Sequence, residues 1–245
     1  MRRLAAAAFL LLAPIAANAW TRASDLRIAQ RSRELAPPDL QLVLRRFEPE
    51  FTLGIERAES DEGSERHHYF VLSRQGKLRE RIEQETRGII KMIRGKESMA
   101  LVAEHFGVLS HLVADANNPF HTSDDDPRLG PLHDDFEQYF ERRLARFPTV
   151  FYGLASSFQL GSYLDRMVTR SSRLSPLLGE EYFRGGEAHT SGEFDDHSTA
   201  FGVASVCYSH AVTDLVNLYY YIWKEAGGDV RSAARRHSGV LRNAN

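Results

Sequence analysis

The sequence has a single cysteine, Cys207, in 245 residues. One thiol cannot form an internal disulfide, which excludes a disulfide-stabilised scaffold. Because Cys207 lies in an apolar segment, we expect a buried and unreactive thiol. An excess of one charge is also lacking, since 31 basic residues stand against 33 acidic ones. Duplex nucleic-acid binding requires a basic stripe that this composition does not provide, so we expect no stable nucleic-acid complex.

Long apolar runs are confined to the amino terminus. Residues 1–19 contain two arginines, an apolar run and the ending Ala17-Asn18-Ala19, the three parts of a secretory signal peptide. No later run approaches the ~20 apolar residues of a membrane span. We therefore predict that residues 1–19 are removed, and that residues 20–245 form one secreted or periplasmic domain beginning at Trp20.

No β pattern, internal repeat or interdomain linker is evident, and helical periodicity dominates the mature chain. Apolar residues at helical spacing predict helices, besides the one that carries His111, over residues 25–35, 39–47, 76–97, 163–172 and 199–226. The acidic stretch 52–70, which contains Gly54 and Gly63, is predicted to be a loop. The fold class expected from this pattern is all-α.

Residues with metal-binding side chains recur at helical spacing in the middle of the chain. His111 and Asp115 lie four positions apart, and so do His133 and Glu137. Residues at i and i+4 share one face of a helix, about one turn apart, which is close enough to bind a common metal ion. His121 follows an Asn-Asn-Pro helix terminator, so it lies on the turn after the first helix and can point into the same pocket.

A single His-x-x-x-Asp pair is usually a capped or solvated pair, but two pairs with a third histidine between them are much less often accidental. Leu109, Leu112 and Val113 surround the first pair. Burying an imidazole and a carboxylate among them is costly without a partner, and a metal ion supplies that partner. Nitrogen and carboxylate donors without thiolate are typical of a catalytic zinc that keeps an open water position.

These residues carry a resemblance to a known family. The segment LSHLVADANNPFH, the pair His133 and Glu137, and a Trp directly after a signal peptide resemble the bacterial zinc-dependent phospholipases C. That family includes the catalytic domain of clostridial alpha-toxin, and it shares a fold with fungal single-strand-specific nucleases and 3′-nucleotidases. The resemblance covers nearly the whole mature chain, but few residues carry it outside the motifs. It implies a single multi-helix domain with three zinc ions in a cleft, where phosphodiester bonds are hydrolysed.

The resemblance also implies the ligands of two to three zinc ions. One ion would take Glu59, His68, His111 and Asp115; another would take His121, His133 and Glu137; a third would take Asp115, Asp25 and the Trp20 amine and carbonyl. Asp25 stands where the family has a histidine, and an oxygen in place of a nitrogen adds negative charge and favours harder metals. Asp61 is a rival of Glu59 for the carboxylate position, and Glu59 is the first candidate for the general base.

The predicted function is zinc-dependent hydrolysis of a phosphodiester, most closely that of a phospholipase C, which releases diacylglycerol and a phosphorylated headgroup. Glu137 and the short spacing from His121 to His133 favour the phospholipases, because the fungal nucleases have an Asp and a longer loop there. A single-strand-specific nuclease or 3′-nucleotidase is the alternative, and a non-catalytic zinc-binding protein is a third. The expected partners are a phospholipid or nucleotide phosphodiester substrate, with transient contact to a membrane surface.

Overall fold

A computed structural model describes residues 22–61 and 63–230. Its α-helices are α1 (Arg22–Leu35), α2 (Pro38–Arg46), α3 (Glu48–Glu59), α4 (Leu78–Arg94), α5 (Met99–Ala116), α6 (Pro119–Thr122), α7 (His133–Arg143), α8 (Leu160–Ser172), α9 (Ser175–Tyr182) and α10 (Thr199–Glu225). This part of the chain has no β-strand, and its one extended pairing is an isolated bridge between Phe70 and Gln75. The all-α prediction is confirmed. The predicted signal peptide and Trp20 lie outside the described residues.

Helix α5 is the central element, packed against α1, α3, α4 and α10. The Ser98 hydroxyl caps its amino end by accepting from the Leu101 amide at 3.3 Å. Every residue from Leu109 to Ala116 is buried. The helix ends at Ala116 because Asn117 and Asn118 leave the helical path before a proline. Two potential metal ligands, His111 and Asp115, are thereby held in the interior.

Helices α3 and α5 make an unusually close contact through two glycines. A Cβ atom at Gly54 would lie 1.9 Å from the Glu104 carbonyl oxygen, and one at Gly107 would lie 2.0 Å from the Phe51 carbonyl oxygen. Both positions therefore require glycine, since any larger residue would push the helices apart. The predicted loop over residues 52–70 is wrong in its first part, because residues 48–59 form α3. Gly54 reflects close packing there and not a turn.

A tight turn precedes α4 and lies beside α6. The Tyr69 amide donates to the His121 carbonyl at 2.9 Å, and the Val71 amide donates to the Thr122 carbonyl at 3.0 Å. Gly76 closes the turn with a φ of +96°, and a Cβ atom there would lie 2.0 Å from the His68 carbonyl oxygen. This turn holds His67 against the end of α5 and His68 against His121 of α6.

Helix α10 is the long core helix that its apolar sequence predicts. Its polar residues at i, i+4 and i+8, which are Ser209, Thr213 and Asn217, hydrogen-bond to the backbone of the extended segment 148–155. Cys207 on the same helix is buried, and burial raises the pKa of its thiol to about 12. The expectation of a buried, unreactive thiol is therefore supported. No helix in the described ranges is both long enough and apolar enough to span a bilayer.

Candidate metal centre

The first group of donor atoms lies at the buried end of α5. Nδ1 of His67 is 2.9 Å from Oδ2 of Asp115, and Nε2 of His111 is 3.2 Å from Nδ1 of His67 and 3.3 Å from Oδ2 of Asp115. All three residues are buried. His111 and Asp115 meet because they lie one turn apart on α5, while the turn beside α6 brings His67 to them.

The second group joins α6 to the first turns of α7. Nε2 of His121 lies 2.7 Å from Nε2 of His133, and Nε2 of His133 lies 3.0 Å from Oε1 of Glu137. The same Oε1 atom is 3.5 Å from Nε2 of His121. His133 is the first residue of α7 and Glu137 lies one turn further on, so both side chains reach back toward His121.

Hydrogen bonds on the outer side of each ring set the tautomer of all four imidazoles. Backbone carbonyls accept from two of them, at 2.7 Å between His121 Nδ1 and the His67 oxygen and at 3.2 Å between His67 Nε2 and the Asp61 oxygen. Carboxylates accept from His111 Nδ1 at 2.6 Å and from His133 Nδ1 at 3.2 Å. Carbonyl and ionised carboxylate oxygens only accept, so the outer nitrogen carries a proton, and the inner nitrogen is the one whose lone pair a metal ion would use. The four inner nitrogens converge on the two groups.

The charges in the first group are strongly coupled. Burial lowers the pKa of His111, but the facing carboxylates of Asp115 and Asp25 outweigh it and raise that pKa to about 9. Burial raises the pKa of Asp115, but His111 and His121 outweigh it and lower that pKa to about 2. Burial raises the pKa of Asp25 to about 7, against the opposing effect of His111. The buried carboxylates thus require a positive charge beside them, which protons or a metal ion can provide.

Two buried carboxylate oxygens of the described chain lack a partner, and the one on Asp115, a member of the first group, indicates that a metal ion fits. Oδ1 of Asp115 and Oδ1 of Asp25 have no hydrogen-bond partner among the residues that the structure describes. A buried oxygen without a partner is destabilising and rare in native proteins. Oδ1 of Asp115 lies 3.7 Å from Nδ1 of His121, the outer nitrogen of that ring. The nitrogen and oxygen donors, with no thiolate, are suited to zinc.

Of the predicted ligands, the structure brings together His111 and Asp115 in one group, and His121, His133 and Glu137 in the other. His67 was missed, and it takes the place in the first group that the resemblance assigned to its neighbour His68. The ring of His68 instead stacks on that of His121, with centroids 4.6 Å apart. The only sequence signal for His67 is the His67-His68 doublet. A shift of one residue in the comparison with the family assigns the ligand role to one histidine or to the other.

Glu59 and Asp61 have different surroundings, although both stand near the first group. Glu59 ends α3 half-buried, and burial raises its pKa against the effect of His111. The Asp61 carboxylate is held in ion pairs with Arg66 at 2.7 Å and Arg81 at 2.8 Å. Neither carboxylate belongs to the two donor groups in the described part of the chain, so their predicted roles as ligand and base stay predictions.

The remaining predicted ligands concern the third ion. Trp20 lies outside the described residues, so its role stays a prediction. Asp25, in the first turn of α1, is buried, and its Oδ2 atom is the acceptor for His111 Nδ1 described above. The structure therefore places Asp25 on the outer side of the His111 ring.

Asparagines at the end of α5 support both groups. Asn118 donates to Oε1 of Glu137 at 3.1 Å, and its side-chain oxygen caps α6. Asn117 donates to Asp214 at 3.0 Å, and the Tyr163 hydroxyl donates to the other oxygen of the same carboxylate at 2.7 Å. Arg170 pairs with Asp214 as well. This buried polar network fixes the end of α5 two residues after Asp115.

A cavity of about 470 Å³ opens beside the second group. Its walls include two aromatic and two aliphatic side chains, Phe70, Phe120, Leu129 and Leu178, with His133 at the metal side. Asp124, Asp126 and Asp134 also line it, and no Lys or Arg is found among its described lining residues. The cavity can therefore hold part of a substrate next to His133.

No protein-family model and no curated protein matches the sequence. Among solved structures, the chain is similar to the crystal structure of alpha-toxin from an avian strain of Clostridium perfringens, with a TM-score of 0.65 and 10% sequence identity. The similarity covers 87% of this chain and 67% of that chain. It confirms the all-α fold that the resemblance implied.

Proposed function

We propose that the protein is a secreted zinc-dependent phosphodiester hydrolase, and that its substrate is a phospholipid cleaved as by a phospholipase C. The single observation that carries the proposal is the convergence of four imidazole lone pairs and two carboxylates in two adjacent buried groups. The alpha-toxin-like fold supports it. Export is proposed from residues 1–19 alone.

In this proposal the first ion is held by His67, His111 and Asp115, and the second by His121, His133 and Glu137. Bound zinc would supply a water with a pKa near ~7 and positive charge for the phosphoryl oxygens. Asp115 lies between the rings of the two groups, because Oδ2 faces Nδ1 of His67 and Oδ1 lies near the outer nitrogen of His121. The hydrogen bonds on the outer side of each ring keep the donors oriented before substrate arrives.

Glu59 is proposed as the general base. Its half-buried carboxylate has a raised pKa, which moves it toward the range useful for accepting a proton at neutral pH. Asp61 is less suited to this role because Arg66 and Arg81 already neutralise it. Its main contribution in the structure is the backbone carbonyl that accepts from His67.

The cavity beside His133 supports a phospholipid over a nucleic acid. A nucleic-acid strand carries a negative charge at each phosphate, and its binding groove is normally basic. This cavity has three aspartates and no Lys or Arg among its described lining residues, so it disfavours a polyanion. Leu72, 75% exposed on the turn between Phe70 and Gln75, offers an apolar side chain for contact with a membrane surface.

The test is an assay of purified, zinc-loaded protein against phosphatidylcholine vesicles, single-stranded DNA and a 3′-nucleotide, each with and without a chelator. Chelator-sensitive release of diacylglycerol alone is expected. Nucleotide products would support the nuclease or 3′-nucleotidase alternative instead. A zinc-loaded protein with no activity on any substrate would indicate a non-catalytic zinc-binding protein. The His121→Ala variant is the matched control, since it should lose zinc-dependent turnover on whichever substrate is cleaved.

A further inference from the structure

Asp25 and His111 form a fully buried pair beside the first donor group of the candidate metal centre. The side chains of both are fully buried, and Oδ2 of Asp25 lies 2.6 Å from Nδ1 of His111. Asp25 lies in the first turn of α1, whose buried residues Ile28 and Ser32 pack into the interior. The contact between α1 and α5 thus delivers a carboxylate to the outer nitrogen of a candidate metal ligand.

The other three imidazoles have weaker outer partners. Backbone carbonyls accept from His67 and His121. His133 uses the Asp134 carboxylate, which is 52% exposed and 3.2 Å away. A short hydrogen bond to a buried carboxylate orients an imidazole ring more strongly than a bond to a backbone carbonyl or to an exposed carboxylate. The buried acceptor is charged and is not screened by water. Among the described residues, His111 is the only one of the four imidazoles with such a partner.

We propose that Asp25 is the positioning residue of His111 and does not serve as the ligand of a separate ion. Its carboxylate accepts the hydrogen bond from the Nδ1–H of His111, so that Nε2 of the ring is turned toward His67 and Asp115. The inference rests on the proposed metal centre and deepens it. It departs from the ligand role that the resemblance gives to this position. Neither donor group of three or more residues in the described chain includes Asp25.

The unpartnered Oδ1 atom of Asp25 leaves two roles for the test to separate, that of a metal ligand and that of a positioning residue. Oδ2 is used by His111, whereas Oδ1 has no hydrogen-bond partner among the described residues. A ligand role would use Oδ1 and add an ion to the centre. A positioning role would instead change the affinity of the ion that His111 binds. The two roles therefore differ in the number of zinc ions at saturation.

The experiment compares wild-type protein with Asp25→Asn, Asp25→Ala, His111→Ala and the double variant Asp25→Asn/His111→Ala. Zinc per chain is measured by elemental analysis at saturation, and affinity is measured by competition with chelators of graded strength. The positioning role predicts an unchanged zinc count in Asp25→Asn, with one ion bound roughly 10- to 100-fold more weakly. The Asn substitution should have no further effect once His111 is removed.

One further readout and a control variant keep the test decisive. Nitrogen-15 NMR of the metal-free protein, recorded above pH 9 where the His111 ring is neutral, should show His111 as the Nδ1–H tautomer in wild type and a mixture of tautomers in Asp25→Asn. Asp134→Asn, which alters the exposed partner of His133, is the matched control and should leave the His111 signals unchanged. Asp25→Asn is isosteric, so it decides the question even if Asp25→Ala fails to fold.

Loss of one zinc equivalent at saturation in Asp25→Asn, with the other ions bound as tightly as before, would overturn the positioning role and support the ligand role. An unchanged His111 tautomer in Asp25→Asn would also overturn it. A wild-type protein that binds zinc but hydrolyses no phosphodiester would overturn the proposed function and leave the role of Asp25 intact. A wild-type protein that binds no zinc would overturn both.

Discussion

His67 Nδ1 lies 2.9 Å from Asp115 Oδ2, and this contact places His67 in the first donor group. His68 points elsewhere and stacks on His121. The two neighbours therefore have different expected effects when truncated. His67→Ala should remove zinc from the first group, because an incomplete set of ligands loses most of its affinity.

His68→Ala is the matched control for this prediction and should keep the full zinc count, since His68 belongs to neither donor group of the described residues. Zinc per chain after dialysis, measured by elemental analysis, checks both variants. The reverse pattern, with zinc lost in His68→Ala and kept in His67→Ala, would show that His68 is the ligand, as the resemblance implied.

Glu59→Gln should reduce turnover by roughly 10²-fold or more, the usual effect of removing a general base, with the fold unchanged. Asp61→Asn should act differently, because it removes the ion pairs to Arg66 and Arg81 while its backbone carbonyl still accepts from His67. A modest loss of thermal stability and a small effect on turnover are expected. Steady-state kinetics and thermal unfolding together distinguish the two variants. A large rate loss confined to Asp61→Asn would assign the general base to Asp61 in place of Glu59.

Gly54→Ala and Gly107→Ala should each destabilise the protein by about 3 kcal/mol or more, at the upper end of what overpacking costs. The added Cβ atoms would lie 1.9 and 2.0 Å from carbonyl oxygens of the facing helix. Gly88→Ala in α4 is the matched control, since nothing lies within 4 Å of its Cβ position. That variant should be stabilised by up to ~1 kcal/mol through helix propensity. Denaturant unfolding measures all three, and equal stability in Gly54→Ala and Gly88→Ala would contradict the close helix contact.

Much of the site could be predicted from the sequence because its pairs are local. His111 with Asp115, and His133 with Glu137, follow from helical spacing, and His121 follows from the terminator before it. His67 could not be predicted, because its position depends on the hydrogen bonds from Tyr69 and Val71 to α6, some fifty residues away in the chain. Adjacent histidines in a turn also have no periodicity that distinguishes them. Gly54 was misread as part of a loop for the same reason, since its role is set by contact with Glu104.

The metal-free protein should become less stable as pH rises from 6.5 toward 9. The pKa of His111 is raised from 6.5 to about 9 in the folded state. Its stabilising contribution is therefore complete below pH 6.5 and is lost as pH rises through 9. The pKa of Asp25, raised from 3.8 to about 7, gives a loss of the same sign at lower pH, from 3.8 to about 7, because ionising this buried carboxyl is unfavourable.

Zinc replaces those protons, so zinc affinity should increase over the same pH window. Thermal unfolding of zinc-free and zinc-loaded protein at several pH values measures both effects. The zinc-loaded form should change little between pH 7 and 9 while the zinc-free form loses stability. Zinc-free protein that becomes more stable over this range would contradict the charge coupling between His111 and the two carboxylates.

The central claim is that two adjacent groups of His and carboxylate side chains bind zinc. Anomalous diffraction from crystals of the purified protein, recorded above and below the zinc absorption edge, tests it most directly. We predict one anomalous peak within bonding distance of His67, His111 and Asp115, and a second within bonding distance of His121, His133 and Glu137. The absence of both peaks from zinc-soaked crystals, or zinc bound only at other side chains, would contradict the account.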